Sequence, residues 1–232
     1  GTSYTIEVWV DPAPSSSDMT LWGYSGTHRL LLTSGGQLLS QLSGNFFSTG
    51  TLTRNVWHDV AFVYDAPSQT ASYYVDGALQ GSASVAAASA AFTSQYYFGQ
   101  YDTSVNYKWS GRIAQAAFYG SALSASQIKA HYAAAGYGAS AAPSPSATAP
   151  PTPTPSPAAP TFPTQTPSPS PSAPPPSYQS TVVAQSPFEY LQLEDTSPPT
   201  AVDSSGNNNN GTYIGAVTLG VPGPIRRPRA II

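Results

Sequence analysis

The sequence contains no cysteine, and only 8% of its 232 residues are charged. Without a thiol, the chain can form no disulfide, no thiolate nucleophile and no cysteine-ligated metal site. Globular proteins have about 25% charged residues on average, so hydroxyl and amide groups must dominate the polar surface here. With eight basic residues and a formal net charge of -3, the chain also lacks the basic surface that a nucleic acid partner requires.

Long hydrophobic runs and common catalytic motifs are missing as well. No apolar segment approaches the roughly 20 residues that cross a bilayer, so we expect no membrane span. The opening residues, GTSYTIEVWV, have no charged region followed by an apolar one, so any signal peptide would lie upstream. Neither a Gly-x-Ser-x-Gly motif nor a phosphate-binding loop occurs.

Proline is abundant, with 24 residues, and it is concentrated at residues 139–177. This stretch has no hydrophobic periodicity, and it cannot bury enough apolar surface to offset the entropy lost on ordering. Its composition predicts an extended linker of polyproline II character. The alternative is a disordered tail that offers PxxP motifs to a partner.

Short strands with turn signals between them precede this linker. Residues 4–10, YTIEVWV, alternate aliphatic residues with Glu7 and Trp9, which is the period of a β-strand. Residues 28–42, HRLLLTSGGQLLSQL, are two apolar runs around a Ser-Gly-Gly turn, and residues 76–77 are an Asp-Gly pair suited to a type I′ turn. Such a series predicts an antiparallel β-sandwich.

A single helix is predicted after the strands. Ser124 and Gln127 have the spacing of a capping box, and the helix should run to about Ala134 and stop before Gly136. On this helix, we expect His131 to lie at the surface.

Four motifs in this order resemble the laminin G-like branch of the concanavalin A-like lectin/glucanase superfamily. They are YTIEVWV, VWHDVAFVYD, YYVDGAL and GRIAQAAFYGSALSASQIKAHYAAA, and the resemblance covers about residues 3–136. It implies an all-β, antiparallel jelly-roll sandwich with one short C-terminal helix, and a binding domain more often than an enzyme. Two departures stand out: many relatives carry an acid near Gln115 and Ala116, and a second histidine in place of Asp59.

The C-terminal residues resemble the opening strands of the same family, so the usual order is reversed. We divide the chain into a sandwich lacking its first strands at 1–138, the linker at 139–177, these strands at 178–225, and a basic tail at 226–232 that we expect to be disordered. Two interpretations remain open. Residues 178–225 either begin a second repeat of a tandem array or complete the first sandwich, and we favour completion because an unpaired sheet edge and a tethered matching segment promote it.

A sugar site is predicted in the loop at residues 99–111, GQYDTSVNYKWSG. Saccharide sites combine planar rings, which stack on a pyranose, with amide and carboxylate groups that fix its hydroxyls. The candidate ligand-binding residues are Tyr101, Asp102, Asn106, Tyr107 and Trp109. A second candidate is the stretch 45–47, Asn-Phe-Phe. The alternative is that these aromatic residues belong to the core at the ends of the sheets.

A calcium site is predicted in residues 201–211, AVDSSGNNNNG. Calcium takes carboxylate, amide and carbonyl oxygens, and relatives with a similar motif often hold it, which makes Asp203 and Asn207 the candidate ligands. The alternative is that Asp203 makes an Asx-turn.

The sequence therefore favours a non-catalytic, extracellular module that binds a glycan or a cell-surface polymer within a modular secreted protein. A structural or adhesive spacer repeat that makes protein contacts, including contacts with neighbouring repeats, is the alternative. A glycoside hydrolase is less favoured, because its acids would be expected to alternate along one strand, and Glu7, Glu189 and Glu194 do not.

Overall fold

The computed structural model describes residues 2–25, 28–42, 45–85, 96–101, 107–137 and 176–225, with side chains at all these positions except 25 and 45–49. Residues 139–175 of the predicted linker and the basic tail at 226–232 lie outside the described residues. In the described part, the strands before the linker are β1 (Tyr4–Pro12), β2 (Met19–Ser25), β3 (His28–Leu32), β4 (Gln37–Leu42), β5 (Asn45–Thr51), β6 (His58–Asp65), β7 (Thr70–Val75), β8 (Ala78–Ser84), β9 (Tyr97–Phe98) and β10 (Gly111–Tyr119). The remaining elements are α1 (Ala125–Ala134), α2 (Tyr178–Val183), β11 (Glu189–Leu191), β12 (Thr200–Ala201) and β13 (Gly211–Thr212).

The strands form two antiparallel sheets that face each other, and a small ribbon of β12 and β13. The larger sheet has the order β11-β10-β1-β6-β7-β8, and the smaller has β5-β4-β3-β2-β9. The predicted turns are present: Gly36, between β3 and β4, has φ 84°, and Asp76 and Gly77, between β7 and β8, have φ values of 55° and 72°. Positive φ at both central residues is the signature of a type I′ turn.

Strand β1 is buried along its whole length because the larger sheet is covered on both faces. Its aliphatic side chains enter the core between the two sheets, whereas Trp9 lies in a second apolar layer beneath the helices. The alternation in the sequence therefore separates two buried layers rather than a core from solvent.

Helix α1 confirms the predicted boundaries and cap. The Ser124 side chain accepts from the Gln127 backbone amide, and the Gln127 side-chain oxygen accepts from the Ser124 backbone amide. Gly136, after the helix, has φ 88°. The expectation that His131 lies at the surface is wrong, because this side chain is fully buried. It faces the larger sheet, where its Nδ1 lies 2.7 Å from Glu7 Oε2 on β1.

The C-terminal segment, residues 176–225, packs against the larger sheet. Strand β11 pairs with β10 and forms the edge of the larger sheet, placing Glu189 opposite Phe118. Helix α2, which the sequence analysis did not foresee, is capped by Ser177 and covers Trp9, whose indole Nε1 donates to the Tyr178 hydroxyl at 3.0 Å. The segment thus contributes both a strand and a cover to the second apolar layer.

The architecture confirms the predicted all-β jelly-roll sandwich. Within the described ranges, neither helix has the length and hydrophobicity needed to cross a bilayer.

Candidate functional site

The outer face of the smaller sheet carries an arginine held by a glutamine. In β3, Leu30 and Leu32 point into the core between the sheets, so Arg29 points away from it. Gln41 is its direct neighbour on β4, and the Arg29 Nε donates to Gln41 Oε1 at 2.8 Å. This bond fixes the plane of the guanidinium group on the outer surface.

Two predicted tyrosines lie against this guanidinium. Arg29 Cζ is 4.7 Å from the ring centre of Tyr101 and 4.9 Å from that of Tyr107, and the two ring centres are 6.0 Å apart at an angle of 54°. Both contacts lie within the range of a cation–π interaction. We call the two rings and the guanidinium the tyrosine platform.

Glycine at position 23 makes room for the tyrosine platform. Gly23 pairs with Arg29 across β2 and β3. A Cβ atom at position 23 would lie 2.7 Å from the Cβ of Tyr101 and 3.0 Å from that of Arg29. Because real Cβ contacts are not this short, the ring of Tyr101 can occupy its position only above a glycine.

Tyr107 has an unusual backbone conformation. Its φ is 58°, which is rare for a bulky residue, and its carbonyl oxygen accepts a bond from the Thr20 amide at 2.7 Å. The side chain is 41% exposed. Backbone strain of this kind concentrates at binding sites, where the surrounding structure holds it in place.

Of the other predicted sugar ligands, the structure describes the side chain of Trp109. Trp109 is partly buried and packs against the core between the sheets, which favours a packing role for its ring. Asp102 and Asn106 lie outside the described residues. At positions 45–47 the backbone forms part of β5, and the side chains are not described.

Sequence reasoning missed Arg29, Gln41 and Gly23. The available signal was an arginine inside the apolar run HRLLL, because a charge at that position must lie on the face opposite the core. The glycine and glutamine gave no local signal, since their roles depend on the pairing of three strands.

The predicted calcium ligand Asp203 sits in a closed network of hydrogen bonds. Its Oδ1 accepts from the backbone amides of Tyr190 and Ser205 at 2.9 and 2.8 Å. Its Oδ2 accepts from the Ser205 hydroxyl and the Asn209 amide at 2.7 and 2.9 Å. Burial raises the pKa of this carboxyl, but the four hydrogen bonds outweigh it, and the pKa is lowered from its ordinary value.

This geometry does not fit a metal ligand. A carboxylate has about four lone-pair positions, and protein donors use all four at Asp203. The Asn207 amide nitrogen donates to the carbonyl oxygens of Pro187 and Phe188 at 3.0 and 3.1 Å. In the described part of the chain, no group of three or more histidine, aspartate or glutamate side chains is arranged to hold a metal. The calcium prediction stays a prediction, and the arrangement favours an Asx-turn.

Glu189 is a second carboxyl beside Asp203 that sequence reasoning did not single out as part of a site. The residue is 8% exposed. Burial, and then the negative charge of Asp203, raise the pKa of Glu189 from 4.5 to about 7. The docked C-terminal segment therefore contains a carboxyl that titrates near neutral pH.

A polar group of side chains lies in the second apolar layer. Glu7 and His131 form a fully buried pair, and Asp59, on β6, is 1% exposed. Within the described residues, neither carboxylate oxygen of Asp59 has a hydrogen-bond partner. Burial, followed by the charges of Glu7 and Asp76, raises the pKa of Asp59 well above its ordinary value.

Gln115, where many relatives have an acid, joins the sheet to the C-terminal segment. It sits at a bulge in β10 with φ 54°. Its backbone amide donates to the Gln192 carbonyl at 3.1 Å, its side-chain nitrogen donates to Glu194 at 3.1 Å, and its side-chain oxygen accepts from the Tyr190 hydroxyl. One residue thus makes three contacts with that segment.

Solved structures resemble this chain at low sequence identity. A Bacteroides ovatus protein provisionally described as carbohydrate-binding is 16% identical, with a TM-score of 0.62; the match covers 95% of this chain and 55% of that one. The Ruminococcus gnavus IT-sialidase CBM40, solved with α2,6 sialyllactose, is 17% identical with a TM-score of 0.47, covering 56% of this chain and 82% of that one. A Limulus polyphemus SAP-like pentraxin is 12% identical with a TM-score of 0.45, covering 57% and 70%.

The present chain therefore spans about half the length of the Bacteroides ovatus protein, and the likeness establishes a shared fold. No curated protein matches the sequence. A family model of the laminin G-like type matches residues 1–129, which is more than half of the chain. With its jelly-roll of two sheets, the chain belongs to the concanavalin A-like lectin/glucanases superfamily.

Proposed function

We propose that this protein is a non-catalytic, extracellular module that binds a carbohydrate through the tyrosine platform. The observation that supports this most strongly is the pair of tyrosine rings on the outer face of the smaller sheet, with Tyr107 41% exposed. Aromatic rings bind the apolar face of a pyranose, while nearby polar groups bind its hydroxyls. The module would attach a larger secreted protein to a glycan or surface polymer.

The platform is fixed before a ligand binds. Gln41 orients Arg29 through a hydrogen bond. Gly23 has no side chain, which leaves room for Tyr101. The Thr20 amide binds the carbonyl oxygen of Tyr107 and holds its backbone in place. A fixed arrangement reduces the entropy lost when a ligand orders the side chains around it.

The described carboxylates support a binding role over hydrolysis. A glycosidase needs two carboxyl groups on opposite sides of the scissile bond, about 5 to 9 Å apart. Glu189 and Asp203 have pKa values shifted in opposite directions, as in an acid and base pair. Asp203, however, has no lone pair left with which to attack or to activate water, since four protein donors bind it.

A glycan array tests the proposal, with Tyr107→Ala as the variant and Ile214→Ala as the control. Ile214 is 56% exposed in the C-terminal segment, so both changes remove an exposed hydrophobic side chain. The proposal predicts glycan binding by the wild type and the control, and its loss in the variant at an unchanged melting temperature. Binding of no glycan, with or without calcium, would refute it and favour the spacer alternative.

We further propose that residues 178–225 complete the sandwich of residues 1–138 within one chain. The pairing of β11 with β10, the Trp9 to Tyr178 bond and the three contacts of Gln115 support this. The test is a protease site placed in the linker, followed by hydrogen exchange of the cut protein. We expect β10 to stay protected while the pieces are together and to lose protection when the C-terminal piece is washed away. Unchanged protection would contradict the proposal.

A further inference from the structure

The described arginines differ in how their charge is used. Arg112 binds the carboxylate of Asp11, which is 5% exposed. Arg54 donates to the backbone carbonyl oxygens of Ala13, Thr33 and Ser34 at 3.3, 2.7 and 3.2 Å. Both side chains therefore have structural partners that account for them.

Arg29 differs from these two arginines, because its charge is not paired with an acidic side chain among the described residues. Its Nε donates to Gln41, and among the described residues no acceptor contacts its two η nitrogens and no acid forms an ion pair with it. A guanidinium group has five N–H donors, so four remain at the η end. The bond to Gln41 holds the group in a fixed plane with that end available.

The two tyrosine rings reduce the hydration of the Arg29 guanidinium group. Rings at 4.7 and 4.9 Å from Cζ take space that hydration water would otherwise occupy next to the guanidinium plane. Arginine is already more weakly hydrated than lysine, and its planar fork matches a carboxylate through two parallel hydrogen bonds. An anion at the η end would therefore gain a charge-assisted contact at a low cost in desolvation.

The η nitrogens of Arg29, which can bind an anion, lie next to the tyrosine rings on which a sugar can stack. In a uronic acid or a similar sugar, the carboxylate is attached directly to the pyranose ring. The guanidinium group faces one side of the Tyr107 ring, with Cζ 4.9 Å from the ring centre. A sugar that packs on the remaining surface of this ring can therefore reach the η nitrogens past the ring edge with its carboxylate. Neutral glycans would leave the four η donors to water.

We infer that the glycan bound by the tyrosine platform is acidic, and that Arg29 binds a sugar carboxylate through its two η nitrogens. This inference rests on the proposed function and specifies its ligand class. Arg29 would be the residue that selects acidic over neutral glycans, whereas the rings of Tyr101 and Tyr107 would bind the sugar in either case.

The experiment uses a glycan array printed with carboxylated glycans, the methyl esters of those glycans, and neutral glycans. Esterification removes the charge and leaves the sugar rings unchanged. We expect the wild type to bind carboxylated glycans at least tenfold more strongly than their esters, and 0.5 M NaCl to reduce that preference. Arg29→Gln should bind the acid and the ester equally, and Tyr107→Ala should bind neither.

The variants need a control for folding. A melting temperature within about 2 °C of wild type shows that Arg29→Gln retains the sandwich, and Arg29→Lys, which keeps the charge but loses the fork, should fall between wild type and Arg29→Gln in its preference for the acid. Should Arg29→Gln unfold, the comparison of acid and ester in the wild type and in Arg29→Lys still decides the question.

Each outcome is decisive. Equal wild-type binding to acids and esters, or binding to neutral glycans alone, overturns the acidic-glycan inference while the proposed function stands. Binding to no glycan at all overturns the proposed function and the inference with it.

Discussion

Replacement of Glu189 by glutamine should stabilise the protein at alkaline pH and leave it unchanged at acid pH. Burial and the charge of Asp203 raise the pKa of Glu189 from 4.5 to about 7, and this burial exists only while the C-terminal segment is docked on β10. A pKa change from 4.5 to about 7 corresponds to about 3 kcal/mol, since one pKa unit is 1.36 kcal/mol.

The sign follows from which state holds the proton. Below pH 4.5 the carboxyl is protonated in both the folded and the unfolded protein, so its ionisation costs the folded state nothing. Between pH 4.5 and about 7 the unfolded chain loses the proton first, and the folded protein loses stability progressively. Above about pH 7 the full cost of about 3 kcal/mol is present, and glutamine, which cannot ionise, avoids it.

Thermal unfolding of the wild type and Glu189→Gln at pH 4 and pH 8 measures this effect. For a domain of this size, about 3 kcal/mol corresponds to a rise of roughly 10 °C at pH 8, with no rise at pH 4. Glu194→Gln is the matched control, because Glu194 lies in the same segment but is exposed, and glutamine keeps a side-chain oxygen that can accept from Gln115. If Glu189→Gln has the same effect at both values of pH, the carboxyl is not buried and the segment is not docked as described.

Four further predictions follow from the buried groups, the Asp203 turn and the tyrosine platform. Asp59→Asn should raise the melting temperature increasingly as pH rises above 3.8, because the pKa of Asp59 is raised by burial; a destabilised variant at pH 8 would contradict this. Asp203→Ala should cost at least about 3 kcal/mol at pH 7 in urea unfolding, since it removes four hydrogen bonds to a charged acceptor. The cost should shrink as pH falls from 3.8, where the unfolded chain takes up the proton, through the lowered pKa of the folded carboxyl. Calcium should leave the melting temperatures of the wild type and of Asp203→Ala unchanged. A calcium-dependent rise in the wild type alone would support a metal site at Asp203. Gly23→Ala should weaken glycan binding at least tenfold in calorimetry by displacing Tyr101, whereas Gly120→Ala, which meets no atom within 4 Å, should not; equal affinities would remove Gly23 from the account.

Local features of the fold were predictable because their causes are local. The capping box at Ser124, the turn at Asp76 and Gly77, and the alternation in β1 each depend on a few consecutive residues, and all are present. Helix α2 was missed because its six residues, YQSTVV, show little periodicity. It is held by the contact of Tyr178 with Trp9, which is distant in sequence.

The candidate site was only partly predictable because it joins separate strands. The stretch 99–111 identified Tyr101 and Tyr107 by composition, but composition could not show that Trp109 packs into the core. Arg29 contacts those rings, and Gln41 is brought next to Arg29 only by the register of β3 with β4.

The prediction that His131 lies at the surface was wrong for a related reason. His131 was expected at the surface because a short, alanine-rich helix gives little indication of which side faces the protein. The decisive partner is Glu7, 124 residues earlier, on a strand whose outer face proved to be covered. A histidine in a helix can therefore be placed only once the opposing sheet is known.

Hydrogen exchange of the whole protein, with and without a glycan selected on the array, tests whether the tyrosine platform on the smaller sheet is the glycan site. We expect slower exchange in β3, β4 and residues 99–101 and 107–109 on binding, and no change in β7, β8 or the C-terminal segment. Protection confined to β7, β8 or residues 201–211, with none in β3 or β4, would contradict it.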